Sequence, residues 1–199
     1  FESLKLNTTG SQMTAVGYAS LDANTTGYNN TAVGYGSGGA NTEGHSNTGL
    51  GAYCLLANTT GNFNTAVGTG AMQAGTTALG STAVGYAALG QDTSGDYNTV
   101  MGYTAGQLIT SGDRNVAVGA YALDANTTGD YNIGIGSAAL GSLTTASNNT
   151  VIGNDAGSAI TEGDSNTTVG FHSGQALTTG DNNLCLGKDS GITGSPGGN

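Results

Sequence analysis

The sequence predicts an all-β fold, specifically a β-solenoid in which every 17-residue unit forms one coil of a continuous stack. Glycine recurs at this spacing along the whole chain, and an aliphatic residue stands immediately before each of these glycines. No insertion or deletion interrupts the spacing, so successive coils can stack in register and bury their apolar residues on one another. The recurring glycines are Gly17, Gly34, Gly51, Gly68, Gly85, Gly102, Gly119, Gly136, Gly153, Gly170 and Gly187.

The repeat is numbered here so that the recurring glycine is position six, and the first full unit then begins at Gln12 and the last at Asn182. Residues 1–11 match the end of a unit, because Asn-Thr-Thr-Gly at 7–10 repeats the same letters at 24–27. We therefore expect a partial coil over 1–11 and eleven coils over 12–198, all within a single repeat domain spanning 1–199.

Each coil is expected to contain two short strands. Positions two to six hold threonine or an aliphatic residue at position three and an aliphatic residue at position five, which predicts a strand with these two side chains facing inward. A second strand is expected over positions seven to eleven. Position nine is never larger than cysteine, which indicates tight confinement. Asn-Thr-Thr-Gly at positions thirteen to sixteen predicts the turn between coils, and two narrow parallel sheets result.

If the side chains at positions three and five face inward, those at position four face solvent, where polar residues are usual. Position four nevertheless carries small, mostly apolar residues. A column of such residues predicts a surface that packs against another chain. The alternative is that small residues simply flank a narrow roll. The residues expected at this interchain interface are Ala15, Ala32, Ala66, Ala83, Ala117 and Val151.

The composition is poor in charge, with three basic and 13 acidic side chains and a formal net charge of −10. Nucleic acids and anionic membranes require clusters of lysine and arginine, so neither is expected as a partner. No apolar run is long enough to cross a bilayer.

Cys54 and Cys185 are eight coils apart, about 40 Å at the usual strand spacing, and are not expected to form a disulfide. Uncapped ends would favour stacking on further subunits.

The unit resembles the head repeats of YadA-like trimeric autotransporter adhesins, whose motif reads roughly Asn-Ser-Val-Ala-Ile-Gly-x-x-Ser/Ala. Segments 30–37, 64–68 and 115–122 carry the likeness, and the first reads Asn-Thr-Ala-Val-Gly-Tyr-Gly-Ser. Repeats with Asn-Thr-Thr-Gly loops are also similar to those of tail-fibre proteins of bacterial viruses such as cyanophages. The resemblance implies a left-handed parallel β-roll, three chains in a rod and a role in attachment. The repeat is longer than in adhesin heads, and no neck, stalk or anchor is visible.

Catalysis is not expected, because the two histidines, His45 and His172, lie at different repeat positions in distant units and form no nucleophile–base pattern. No cofactor motif remains once the repeat has explained the glycines. A column of aspartates at position seventeen could share calcium ions, although solvated turn residues would look the same. These candidate calcium ligands are Asp96, Asp113, Asp130, Asp164 and Asp181.

Threonine fills position fourteen in every unit from Thr8 to Thr178, and such ladders can bind ice when they stand on a flat strand. Here a second threonine is adjacent, so the two cannot share one face, and hydrogen bonding to the loop backbone is the plainer interpretation.

Tyrosines are the candidate recognition residues, because exposed aromatic rows can bind sugars or proteins or can instead cover gaps. They are Tyr18, Tyr35, Tyr86 and Tyr103 at position seven and Tyr53 and Tyr121 at position eight.

Together these observations predict a homotrimeric rod segment of an extracellular or virion fibre, at a cell or virion surface, that mediates attachment to a host receptor or glycan. Two other functions remain open. A filament subunit would stack end to end through its uncapped sheet edges. An ice-binding solenoid would be a monomer with an exposed threonine face.

Overall fold

The computed structural model describes residues 2–191, so the predicted end of the last coil at residue 198 lies outside the described residues. Within them the chain is an all-β parallel solenoid with one three-residue strand per coil, and consecutive strands pair in sequence order in a single sheet. Paired residues are 17 apart, as Ala66 is from Ala83, which confirms the predicted coil length. The strands β1 to β11 are Thr14–Val16, Thr31–Val33, Thr48–Leu50, Thr65–Val67, Thr82–Val84, Thr99–Met101, Val116–Val118, Ile133–Ile135, Thr150–Ile152, Thr167–Val169 and Leu184–Leu186.

The prediction of a second strand over positions seven to eleven is wrong. Residues at positions eight and ten have left-handed backbone conformations, as shown by Tyr53 at φ 58° and Leu55 at φ 51°. An extended strand requires strongly negative φ, so two such residues turn the chain round a corner instead. Hydrogen bonds between coils continue through the corner, for example from the Gly38 N–H to the Cys54 carbonyl at 2.9 Å. The coil is therefore one strand closed by hydrogen-bonded turns.

The glycine at position six is required by its backbone and by its neighbour in the next coil. At Gly51, φ is +137°, a conformation that residues with a side chain rarely adopt. A Cβ atom there would lie 2.6 Å from the carbonyl oxygen of Gly68. The chain turns off the end of each strand at this point while the coils remain in backbone contact, and only glycine satisfies both requirements.

The strands face the opposite way from the prediction, because position four points into the coil and positions three and five point out. Position four is almost fully buried from the second coil onward, with Ala66 and Val100 at 0% exposure, whereas Val33 and Met101 at position five are 37% and 48% exposed. The interchain interface predicted at position four is therefore wrong. Its members, of which Ala15 is only half-buried, are Ala15, Ala32, Ala66, Ala83, Ala117 and Val151.

The coil interior is filled from positions nine, ten and thirteen, which explains why position four must be small. Position nine is buried in the coils from Ser20 to Ser173, so the confinement predicted there is confirmed. Leu89 at position ten fills the interior of its coil. In the next coil position ten is Gly106, and Ile109 at position thirteen lies in the space that a side chain at residue 106 would occupy. Bulk at one position compensates for its absence at the other. A larger residue at position four would compete for the same volume.

Asparagines at position two tie each coil to the next one. The Oδ1 atom of Asn115 accepts a hydrogen bond from the backbone N–H of Asn132 at 3.0 Å, and its Nδ2 donates to the Gly129 carbonyl at 2.8 Å. The first bond links neighbouring coils and the second closes the coil's own turn. These side chains are almost completely buried, so their amides satisfy backbone groups that water cannot reach.

Candidate functional surfaces

The aliphatic column at position five forms an exposed apolar stripe along the rod. We call this column the outer stripe. At about 4.8 Å per coil, the strip is continuous over about 50 Å. The outer stripe comprises Val16, Val33, Leu50, Val67, Val84, Met101, Val118, Ile135, Ile152, Val169 and Leu186.

Position three lies beside the outer stripe on the same face of the sheet, because alternate residues of a strand share a face. Most units carry a threonine here, and Val116, Ile133 and Leu184 extend the apolar surface in three coils. The face therefore combines a column of aliphatic side chains with a column of mostly threonine side chains. Both columns are visible in the sequence, but the usual burial of aliphatic residues predicts that they face the interior, which is wrong.

The six tyrosines predicted as recognition residues form two triads of nearly identical geometry. In the first, the rings of Tyr18 and Tyr35 stack at 5.3 Å, and the ring of Tyr53 meets Tyr35 edge-on at 5.1 Å and 67°. In the second, 68 residues further on, the corresponding values are 5.3 Å for the stack and 5.5 Å and 69° for the edge contact. The second triad comprises Tyr86, Tyr103 and Tyr121. All six rings are at least 41% exposed.

Two further aromatic stacks lie at the turn that leads into each strand, and sequence reasoning missed them. His45 stacks on Tyr28 at 4.6 Å and meets Phe63 edge-on at 5.0 Å. In later coils the guanidinium of Arg114 lies between the rings of two tyrosines, 5.3 Å and 5.5 Å from their centroids. Their spacing of one coil in the sequence was the available signal. Such contacts stabilise neighbouring turns, so these groups have a structural explanation.

The aspartate column at position seventeen also has a structural role. The Asp113 carboxylate accepts the backbone N–H of Asp96 at 2.8 Å, and Asp130 accepts that of Asp113 at 2.7 Å. Asp164 and Asp181 accept backbone N–H groups in the same way. Each carboxylate therefore links its coil to the preceding one. Among residues 2–191 no three His, Cys, Asp or Glu side chains form a group that could hold a metal ion.

The threonine ladder at position fourteen is bonded to the backbone of the loops. The Oγ1 atom of Thr25 donates to the carbonyl of Thr42 at 3.0 Å, and Thr59 and Thr93 make the same bond to the next coil. Hydroxyls committed to carbonyl oxygens are less available to organise water at a surface. This geometry agrees with the interpretation of the ladder as a loop-stabilising element.

The remaining polar and reactive side chains are dispersed along the rod. His172 lies between two carboxylates, with Nε2 3.5 Å from Asp155 and Nδ1 3.7 Å from Asp189, and these contacts are ion pairs only when the imidazole is protonated. Both cysteines are free, which confirms that they are not paired. Burial raises the pKa of the Cys54 thiol and of the Cys185 thiol, so both are less reactive than exposed cysteines.

In the part of the chain that the structure describes, no helix has the length and apolar character needed to cross a membrane. A comparison with models of known protein families, with curated proteins and with solved structures found no match to this chain.

Proposed function

We propose that this chain is a left-handed, homotrimeric rod segment of an extracellular or virion fibre that mediates attachment to a host or surface. The observation that carries the proposal is the outer stripe. An exposed apolar strip along the entire rod is unfavourable in water and is stabilised when other chains cover it. The resemblance to adhesin heads and viral tail fibres supports three chains, and it supports attachment as the function.

The geometry of the stripe suits association with identical chains. Every copy carries the same aliphatic column at the same spacing of one coil, so parallel copies meet with matching periodicity. With a length of about 50 Å and a width of about 10 Å, the face covers on the order of 500 Å² per chain, comparable to the largest patch of a typical monomer. Three such faces meeting on one axis bury a continuous apolar core. The rod then acts by display and adhesion, without a catalytic step.

The oligomeric state tests the proposal directly. Light scattering across a dilution series measures the absolute mass of the purified chain. We expect a concentration-independent mass near three times the 19.4 kDa of one chain. A mass of 19.4 kDa at all concentrations contradicts the trimer. A mass that rises steadily with concentration instead indicates an end-to-end filament.

A substitution in the centre of the stripe identifies the surface. Met101→Lys retains an unbranched side chain and adds a charge that a trimer would bury without a partner, so it should shift the protein towards monomer. Thr60→Lys, an exposed turn position away from the stripe, is the matched control and should remain trimeric. Circular dichroism must show that the monomeric variant is folded. A trimeric Met101→Lys protein would show that the stripe is not the interface.

A second candidate is an ice-binding solenoid, and the orientation of the strands favours it more than the sequence did. Threonines at position three and aliphatic residues at position five face outward together on a parallel sheet, as Thr31 and Val33 do. Ice-binding ladders usually place two outward threonines on either side of one inward residue. Here one of the two outward columns is mostly threonine and the other is aliphatic, whereas the threonines at positions fourteen and fifteen are adjacent. A monomer that shows thermal hysteresis would support this function and exclude the trimeric fibre.

A further inference from the structure

An open groove of about 480 Å³ lies beside the first tyrosine triad. The rings of Tyr35 and Tyr53 form part of its wall, and Asp22 and Leu56 also line it. A volume of this size falls in the range of about 300–1,000 Å³ found for small-molecule sites. The groove is made of residues at positions seven, eight, eleven and twelve of the repeat, none of which belongs to the outer stripe.

Two glycines create the groove. The coil beginning at Asn29 is the one full unit with glycine at both position eight and position eleven, here Gly36 and Gly39. A Cβ atom added to Gly36 would lie 3.3 Å from the Tyr53 ring and 3.5 Å from Leu56. A Cβ atom on Gly39 would lie 3.3 Å from Leu56. Any side chain at these positions would therefore project into the space between the aromatic wall and the coil.

The second triad supplies an internal comparison. Its tyrosines have the same ring geometry, but the two equivalent positions carry the side chains of Thr104 and Gln107. Thr104 adopts φ 49° where Gly36 has φ 62°, so this backbone accepts threonine. The aromatic stack consequently forms without the glycines, and the glycines have no role in stacking the rings. Their effect at the first triad is to open the space beside it.

The chemistry of the groove matches a sugar ring. Tyr53 is turned 67° from Tyr35, so the pair offers a ring face and a ring edge instead of two stacked faces. An aromatic face packs against the apolar C–H face of a pyranose, and phenol and carboxylate oxygens accept hydrogen bonds from its hydroxyls. The groove is lined by a carboxylate and by no lysine or arginine. The lining therefore disfavours sialic acid, sulfate and phosphate groups.

We propose that this groove binds a neutral pyranose of a surface glycan. The inference rests on the proposed attachment function, because it names the ligand class that such a rod would recognise. The aromatic wall supplies stacking, the Asp22 carboxylate accepts hydroxyl hydrogen bonds, and the two glycines admit the ring. The site lies at the first triad, and at the second triad the two glycine positions carry Thr104 and Gln107 instead.

Saturation-transfer difference NMR with methyl glycosides of neutral hexoses tests the site, with a methyl sialoside as the anionic comparison. We expect transfer to at least one neutral hexoside and none to the sialoside. Gly36→Thr combined with Gly39→Gln copies the second triad and should weaken binding at least tenfold. Asp22→Asn should weaken it while retaining the shape of the groove. Gln107→Ala, beside the second triad, is the matched control and should bind as the unaltered protein does.

The outcomes separate this proposal from the fibre. Absence of transfer to every neutral hexoside overturns the groove, and so does binding that the double glycine variant leaves unchanged. Binding confined to the sialoside, or to aromatic peptides used as a further probe, also overturns it. Because the groove lies away from the outer stripe, the folded Met101→Lys monomer should still bind the hexoside. A trimer that binds no sugar refutes the groove alone, and a monomer that binds sugar refutes the trimer alone.

Discussion

Replacing Asp92 with asparagine should stabilise the protein at neutral and alkaline pH. Asp92 is fully buried at position thirteen. Its Oδ1 atom accepts the Gly95 N–H at 2.6 Å, and its Oδ2 atom has no hydrogen-bond partner among the described residues. The adjacent coils carry Gly75 and Ile109 at the same position, and neither side chain can bond to a carboxylate. The structure therefore buries an acid with half of its bonding capacity unused.

The cost depends on pH because burial raises the pKa of Asp92 from 3.8 to about 7. The carboxylates of Asp96 and Asp113 raise this pKa further, and the Gly95 and Ser94 N–H groups oppose the shift. Below about pH 4 the carboxyl is protonated in both states and costs nothing. Between about pH 4 and 7 the unfolded chain releases a proton that the folded chain retains, so stability falls as pH rises. At about 1.4 kcal/mol per pKa unit, the loss above pH 7 is about 4 kcal/mol.

Asn126 shows what asparagine would do at this position. It lies between an isoleucine and a leucine at position thirteen of the adjacent coils, accepts the Gly129 N–H at 3.0 Å and donates to the Gly129 carbonyl at 3.0 Å. An amide at residue 92 would therefore retain the existing bond and add a second, worth about 1 kcal/mol. Asp92→Asn should raise the free energy of unfolding by about 1 kcal/mol at pH 4 and by about 5 kcal/mol at pH 8.

Denaturant unfolding followed by circular dichroism between pH 4 and 8 measures this difference. Burial also raises the pKa of Asp124, but this group is present in both proteins and cancels in the comparison. Glu162→Gln removes one negative charge from an exposed loop position and controls for net charge. It should leave the pH profile unchanged. Parallel profiles for the unaltered protein and Asp92→Asn would show that the buried carboxyl does not lower stability between pH 4 and 7, which would contradict the prediction.

Four other substitutions test the fold. Gly51→Ala should destabilise the protein by about 3 kcal/mol or more, because the added Cβ atom meets a backbone carbonyl. Gly70→Ala should cost about 1 kcal/mol, because a Cβ atom there has only one flexible side chain within 4 Å. Thermal unfolding measures both changes. Asn115→Ala leaves the buried Asn132 N–H unpaired and removes one of the two side-chain hydrogen bonds to the Gly129 carbonyl, so it should cost about 2 kcal/mol in the same assay. Ala66→Lys should unfold the chain because position four is interior, and the β-sheet signal in circular dichroism should be lost. If the variant is instead a folded monomer, position four is the interface between chains, and the outer stripe that contains Met101 is not.

The spacing of the glycines was sufficient to predict the coils, their length and their parallel register. A fixed period permits only one arrangement in which every unit buries its apolar residues on the next, so the order of the strands in the sheet followed from the sequence. The small residues at position nine likewise predicted a tight interior, and their burial confirms it. The corner at positions eight and ten was not predictable in this way, because leucine, tyrosine and alanine rarely adopt positive φ.

The sequence alone left open which face of each strand is interior, and the tertiary structure decided it. Alternation in a three-residue strand such as Thr65–Val67 is compatible with either face inward. Aliphatic residues at position five favoured the wrong choice. The coil's cross-section is already occupied by residues from the far side, such as Leu89 and Leu123, so only alanine-sized side chains fit opposite them at position four. The larger aliphatic residues consequently face outward, where they form the surface on which the proposed function depends.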